Sequence, residues 1–90
     1  MGDSIYKVPG GKLLKIKLTP SEGRIRVIVI KGDFFLHPEE TLVALEEFLI
    51  GKELDEVTLA ADIQDFLDDA SALLVGAGAA DIAKTILMAM

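Results

Sequence analysis

Gly32-Asp33-Phe34-Phe35-Leu36-His37-Pro38-Glu39-Glu40 joins the most strand-like run of the chain to its first helix, and the fold class follows from what happens at that junction. On its amino side, Arg24-Ile25-Arg26-Val27-Ile28-Val29-Ile30-Lys31 is rich in β-branched residues. Strict alternation puts Ile25, Val27 and Val29 on one face and Arg24, Arg26, Ile28 and Ile30 on the other, so the far end reads as buried on both sides. On its carboxyl side, Pro38 suits the first helical position, where a missing N–H costs nothing, and Glu39 and Glu40 suit the positive end of the helix dipole. A strand thus hands over to a helix within a few residues. Phe34 and Phe35 stand at the handover. Neighbouring residues of an extended chain point to opposite faces, so one ring enters the core and the other must meet another surface.

Working upstream, Lys12 to Leu18 alternates Leu14, Ile16 and Leu18 against Lys15 and Lys17, the period of a half-exposed strand. Thr19-Pro20-Ser21-Glu22-Gly23 has turn chemistry of hairpin length. Ser4 to Val8 is a candidate first strand, cut off by Pro9-Gly10-Gly11, and the result is a two- or three-stranded antiparallel meander, basic on its open face. Downstream, a helix from Pro38 to about Leu49 carries Leu42, Leu45, Phe48 and Leu49 on one stripe, with Glu39, Glu46 and Glu47 facing water and Gly51 as its stop. Leu54 to Val57 reads as a turn or short helix. Thr58 is an N-cap candidate for a second helix bearing Leu59, Ile63, Phe66 and Leu67, which should end at Asp68-Asp69. The run Ala72 to Gly78 fits a loop, a helical turn or a brief strand equally well. A last helix begins at Ala79, with Asp81 near its start and Ile82, Ile86 and Leu87 inward. The expected class is α+β: a small antiparallel sheet followed by about three helices packed on one face, in a single domain over residues 1–90.

A chain of 90 residues, half of them hydrophobic, holds a real core yet is small enough to gain from a partner. With no cysteine and one histidine, His37, disulfides, thiol catalysis and Cys/His zinc sites are excluded. The first residues lack the basic, apolar, small-residue succession of a secretory signal, and the longest uncharged run, Ala70 to Ala80, falls short of the roughly 20 residues that span a bilayer. A cytoplasmic protein without membrane contact is the expectation. Residues 1–31 carry seven of the nine basic residues against Asp3 and Glu22, a balance of +5; residues 32–90 stand at −11, giving the formal −6. Such a split either steers a partner or is neutralised within the fold, and sequence does not choose between these.

Residue types with chemical potential are present, but not in working patterns. Pro9-Gly10-Gly11-Lys12 lacks the helix-opening Gly-Lys-Ser/Thr of a phosphate loop, and Gly76-Ala77-Gly78-Ala79-Ala80-Asp81 breaks the dinucleotide pattern at its last position. Glu39-Glu40, Glu46-Glu47 and Asp68-Asp69 are adjacent pairs, which diverge on a helix. Asp62, Asp65 and Asp69 share a helical face without calcium-loop spacing and read as a solvated stripe. His37 ends a loop or caps the helix, and no serine is spaced to form a triad with it. Nucleic-acid binding by the basic strands would have only Tyr6 for stacking. The chain has no identifiable catalytic residue and no metal site.

Two segments nevertheless carry a likeness. Tyr6-Lys7-Val8-Pro9-Gly10-Gly11-Lys12-Leu13 and Ile30-Lys31-Gly32-Asp33-Phe34-Phe35-Leu36-His37-Pro38-Glu39-Glu40, followed by a Leu-rich helix ending Leu49-Ile50-Gly51-Lys52, resemble the accessory domain of lipoate-protein ligase. That domain is the carboxyl-terminal part of many bacterial ligases and a separate small subunit in bipartite archaeal-type ligases. The resemblance implies a fold similar to the sulfur-transfer scaffold proteins, whose cysteine chemistry this chain cannot share. It also implies a large catalytic partner that binds lipoate, ATP and Mg, forms lipoyl-AMP and passes the lipoyl group to a lysine of a lipoyl acceptor domain. This chain, binding no cofactor alone, would be the noncatalytic half of that heterodimer, needed chiefly for the adenylate-forming step.

On that likeness the residues to watch are contacts. Gly10 and Gly11 let backbone approach another surface, and Lys12 could extend to phosphate or carboxylate groups at a joint site; an ordinary hairpin turn with a solvated lysine is the simpler account. Asp33 either caps the strand-helix corner or pairs with a basic partner. Of Phe34 and Phe35, one is free to anchor an interface. The alternatives are a stand-alone interaction module of the same fold without a role in lipoylation, and a nucleic-acid-binding domain using the basic hairpin.

Overall fold

The computed structural model describes residues 2–90, in the order β1 (Gly2–Lys7), β2 (Leu13–Ser21), β3 (Arg24–Gly32), β4 (Phe35–His37), α1 (Glu40–Leu49), α2 (Glu56–Asp69), β5 (Leu73–Val75) and α3 (Ala79–Met88). The class is α+β. Strands β1, β2 and β3 form an antiparallel meander, and β4 pairs antiparallel with β5 in a second, two-stranded sheet.

Alternation along β2 turns Leu14, Ile16 and Leu18 to one side, where they meet Leu45 and Leu49 of α1, Leu59 and Ile63 of α2, and Ile82 and Ile86 of α3 in one buried cluster. Strand β3 departs from the expected faces. Ile25, Ile28 and Ile30 are buried, whereas Val27 is exposed and Val29 half-buried. The cause is a bulge: Thr19 pairs with Val27 and Pro20 with Ile25, leaving Arg26 as an extra residue that reverses the alternation. Pro20 has no N–H to give the ladder, and such a residue is tolerated in a strand where pairing is already broken. The hairpin turn is accordingly shorter than its composition implied. Only Glu22 and Gly23 form it, with φ of 53° and 75°, the mirror-image turn that matches strand twist.

Further corrections come from contacts that are remote in sequence. The strand does not hand over directly to a helix: β4 intervenes, Pro38 precedes the helix, and α1 begins at Glu40 with Glu39 as its N-cap residue. His37 neither ends a loop nor caps; it lies in β4 with its ring stacked 6.0 Å from that of Phe35. Glu46 is not simply solvated, because its carboxylate accepts the Ile30 N–H at 2.7 Å. That bond and the pairing of Ile25 with Gly51 and Lys52 satisfy two stretches of the outer edge of β3. The undecided run resolves into β5 and the loop before α3.

Helix α2 starts earlier than expected. Asp55, not Thr58, is the cap, its carboxylate accepting the Thr58 N–H at 2.9 Å, and residues assigned to a turn become the first helical turn. The helix ends at Asp69, as the acidic pair implied. Hydrogen bonding by Thr58 holds the Asp55 carboxyl below its usual value of 3.8. A depressed carboxylate contributes stability above its unfolded pKa and loses it as pH falls through the folded one. An Asp55→Ala variant should therefore melt below the parent at neutral pH, with the gap closing as pH drops below about 4. A gap that persists unchanged at pH 2 would assign the loss to something other than the charged cap.

Candidate functional site

The motifs picked out of the sequence converge on one corner of the molecule. The Val8–Lys12 connection between β1 and β2 is closed by Val8 N–H to Lys12 C=O (3.0 Å) and Gly11 N–H to Val8 C=O (2.8 Å). It is tied to the loop after β5 by the Lys12 N–H, which donates to the Gly76 carbonyl at 2.8 Å. The segment between β3 and β4 joins them through the Asp33 N–H and the Leu13 carbonyl (3.0 Å). Gly76 thereby packs against Gly11 and Lys12 on one side and the Phe34 backbone on the other, joining three loops far apart in sequence.

Glycine is required here for two separate reasons. At Gly11 a Cβ would run into the Gly76 carbonyl oxygen; at Gly76 φ is +95° and a Cβ would lie 2.5 Å from Lys12 Cγ. The Lys12 stem is held against Gly76 while the residue stays exposed, so its charge is carried outward from a fixed base. Lys7 bends inward instead, its Nζ donating to the Gly11 carbonyl at 2.7 Å. Asp33 does not cap the corner: α1 has no side-chain cap, and among the described residues its carboxylate has no ion pair.

Phe34 is half-buried against the core and Phe35 is 50% exposed, as adjacency required. The register Phe35↔Val75 and His37↔Leu73 puts these four side chains on one face of the small sheet, with Leu36 and Leu74 turned inward. Leu73 and Val75 are 57% and 49% exposed, so Phe35 stands within an apolar patch rather than alone. Both phenylalanines also line a cleft of about 360 Å³ between the end of β3, β4 and the start of α1. Leu73 and Val75 lie in the run that composition leaves open among loop, helical turn and strand, and Val75 is the one β-branched residue there to favour a strand.

Lys12, Asp33 and His37 are exposed, and among the described residues none of their side chains makes a hydrogen bond or ion pair within the chain. Asp62, one of the three aligned aspartates, is engaged by Lys52 at 3.6 Å, and among the described residues no three His, Asp or Glu side chains converge on a metal-sized space. No helix among the described residues is long and apolar enough to cross a membrane.

No family model and no curated protein matches the chain. Among solved structures it is similar to a chain from an archaeal lipoylation system of Thermoplasma acidophilum, described as a bi-partite lipoate protein ligase and its E2 lipoyl domain. The two share 27% identity and superpose with a TM-score of 0.73 over 94% of this chain and 90% of the other. The likeness drawn from the Tyr6–Leu13 and Ile30–Lys52 segments is borne out and extends over the helices that those segments do not include.

Proposed function

We propose that this chain is the noncatalytic small subunit of a bipartite lipoate-protein ligase, required with the large subunit for ATP-dependent activation of lipoate to lipoyl-AMP before transfer to a lysine of lipoyl acceptor domains. The observation that carries the reading is the near end-to-end likeness, in fold and in sequence, to a component of an archaeal bi-partite ligase system.

On this reading lipoate, ATP and Mg belong to the large subunit. Phe35, Leu73 and Val75 form the apolar centre of the joint surface, and Lys12 and Asp33 supply charge at its rim. Docking the rigid corner against the partner orders the partner's loops and limits water attack on a reactive mixed anhydride. Lys12 sits where its ammonium can reach an anionic group at the joint site without the loop having to rearrange.

The test is adenylate formation by the purified large subunit, followed as pyrophosphate release with lipoate and ATP, with and without this chain. The expected result is strong dependence on the chain. Equal rates in both samples would remove the proposal, and stable binding without any change in rate would favour a stand-alone interaction module.

A further inference from the structure

The open face of the three-stranded sheet is uncovered. All three helices lie against its other side, and the Arg26 bulge turns Val27, Val29 and Lys31 toward solvent. Cross-strand pairing sets Ile5 beside Lys15 and Lys15 beside Lys31 in one row, and Asp3 beside Lys17 and Lys17 beside Val29 in the next. Basic and aliphatic residues, with Asp3 as the one acid among them, therefore line a shallow trough of about 430 Å³. Ile5 is 61% exposed there.

Two features of this face need an occupant. Lys15 and Lys31 stand directly opposite each other, and like charges so placed destabilise a sheet. Among the described residues, the ion pairs are Arg24 with Glu53 and Lys52 with Asp62; none involves Lys15, Lys17 or Lys31. While Arg24 is paired, the strand lysines on this face are thus left unpaired by the acidic half of the chain, whose helices lie on the far side of the sheet. We infer that the open face of the β1–β3 sheet docks an acidic protein surface bearing apolar side chains, at a site separate from the β4–β5 patch. Carboxylates would meet Lys15, Lys17 and Lys31 while apolar groups cover Ile5, Val27 and Val29. A second copy docking through the same face would set lysine rows against each other. A nucleic acid would find no aromatic ring, because Tyr6 lies on the helix side beneath Lys84.

This inference does not depend on the ligase reading, and its test needs this chain alone. The amide spectrum of the labelled protein is titrated with a short peptide alternating glutamate and valine, and separately with a mixed-sequence single-stranded oligonucleotide. Peptide shifts should be confined to the open-face positions of β1–β3 and should weaken with added salt. The combined K15E, K17E and K31E variant should lose about tenfold or more in affinity. An I5S, V29S variant, which keeps every charge, should also bind several-fold more weakly, separating docking from simple attraction. The inference is overturned by absent peptide shifts, by shifts that survive both variants, by tighter binding of the oligonucleotide than of the peptide, or by self-association through this face.

Discussion

Replacing Phe35 by alanine should leave the domain folded and weaken the proposed complex with a ligase large subunit by about 2 kcal/mol or more, roughly 30-fold in Kd. Phe34→Ala does the reverse in order of severity. Phe35 is half exposed in the free chain and stands outside the buried cluster, beside the exposed His37 and Val75, so removing its ring takes little from the core. Aromatic side chains ringed by aliphatic neighbours are the usual energetic centres of interfaces, and Leu73 and Val75 supply that ring. Phe34 packs against the core and against Gly32, and its loss should cost about 2–3 kcal/mol, below the roughly 3–5 of a fully enclosed phenylalanine. Melting curves of both variants, with Kd measured on whichever remains folded, check the pair. Equal melting losses with equal affinities would mean that adjacency at this junction has no division of labour.

That contrast was legible in the chain because it depends on alternation alone. So were the Leu14-Ile16-Leu18 face, the stripe of α1 and the last helix, each set by a period that local residues repeat. What sequence did not disclose was set by partners distant along the chain. Strands β4 and β5 are three residues each and stable only as a pair, and neither has enough alternation to announce itself. The faces of β3 were misassigned because a bulge costs one residue and flips everything beyond it, and Pro20 on the neighbouring strand was its only trace. Asp55 and Thr58 are both good cap residues, and the chain chose the one that puts Leu59 and Ile63 into the core with three more residues of helix ahead of them.

The same distance effect shaped the candidate site. Gly11, Lys12 and Phe34 come from two separate segments, and nothing in either segment says that Gly76 meets all three, while Gly10 turns at φ +71° with open space beside it. Glu46 looked like a solvated acid until the Ile30 N–H was seen to need it. The charge split was plain in the composition. Which way the lysines point was not, and the bulge and the one-sided helix layer decide it.

Gly11→Ala and Gly76→Ala should each destabilise the domain by about 2–3 kcal/mol, and together by clearly less than their sum. The two residues meet at one contact. A methyl at Gly11 displaces the Gly76 carbonyl, which is backbone and cannot rotate away, and this breaks the Lys12 N–H bond it accepts. A methyl at Gly76 meets the flexible Lys12 stem instead, but it also imposes a side chain on a φ of +95°, which costs about 1–2 kcal/mol by itself. Once either change has pulled the loops apart, the other has less left to break, so the double variant falls short of additivity. Denaturant midpoints of the parent, both single variants and the double give the coupling energy directly. If the corner also positions Lys12 for a partner, both single variants weaken the complex beyond Lys12→Ala alone. Full additivity, with affinity unchanged, would show that the three loops meet without depending on one another.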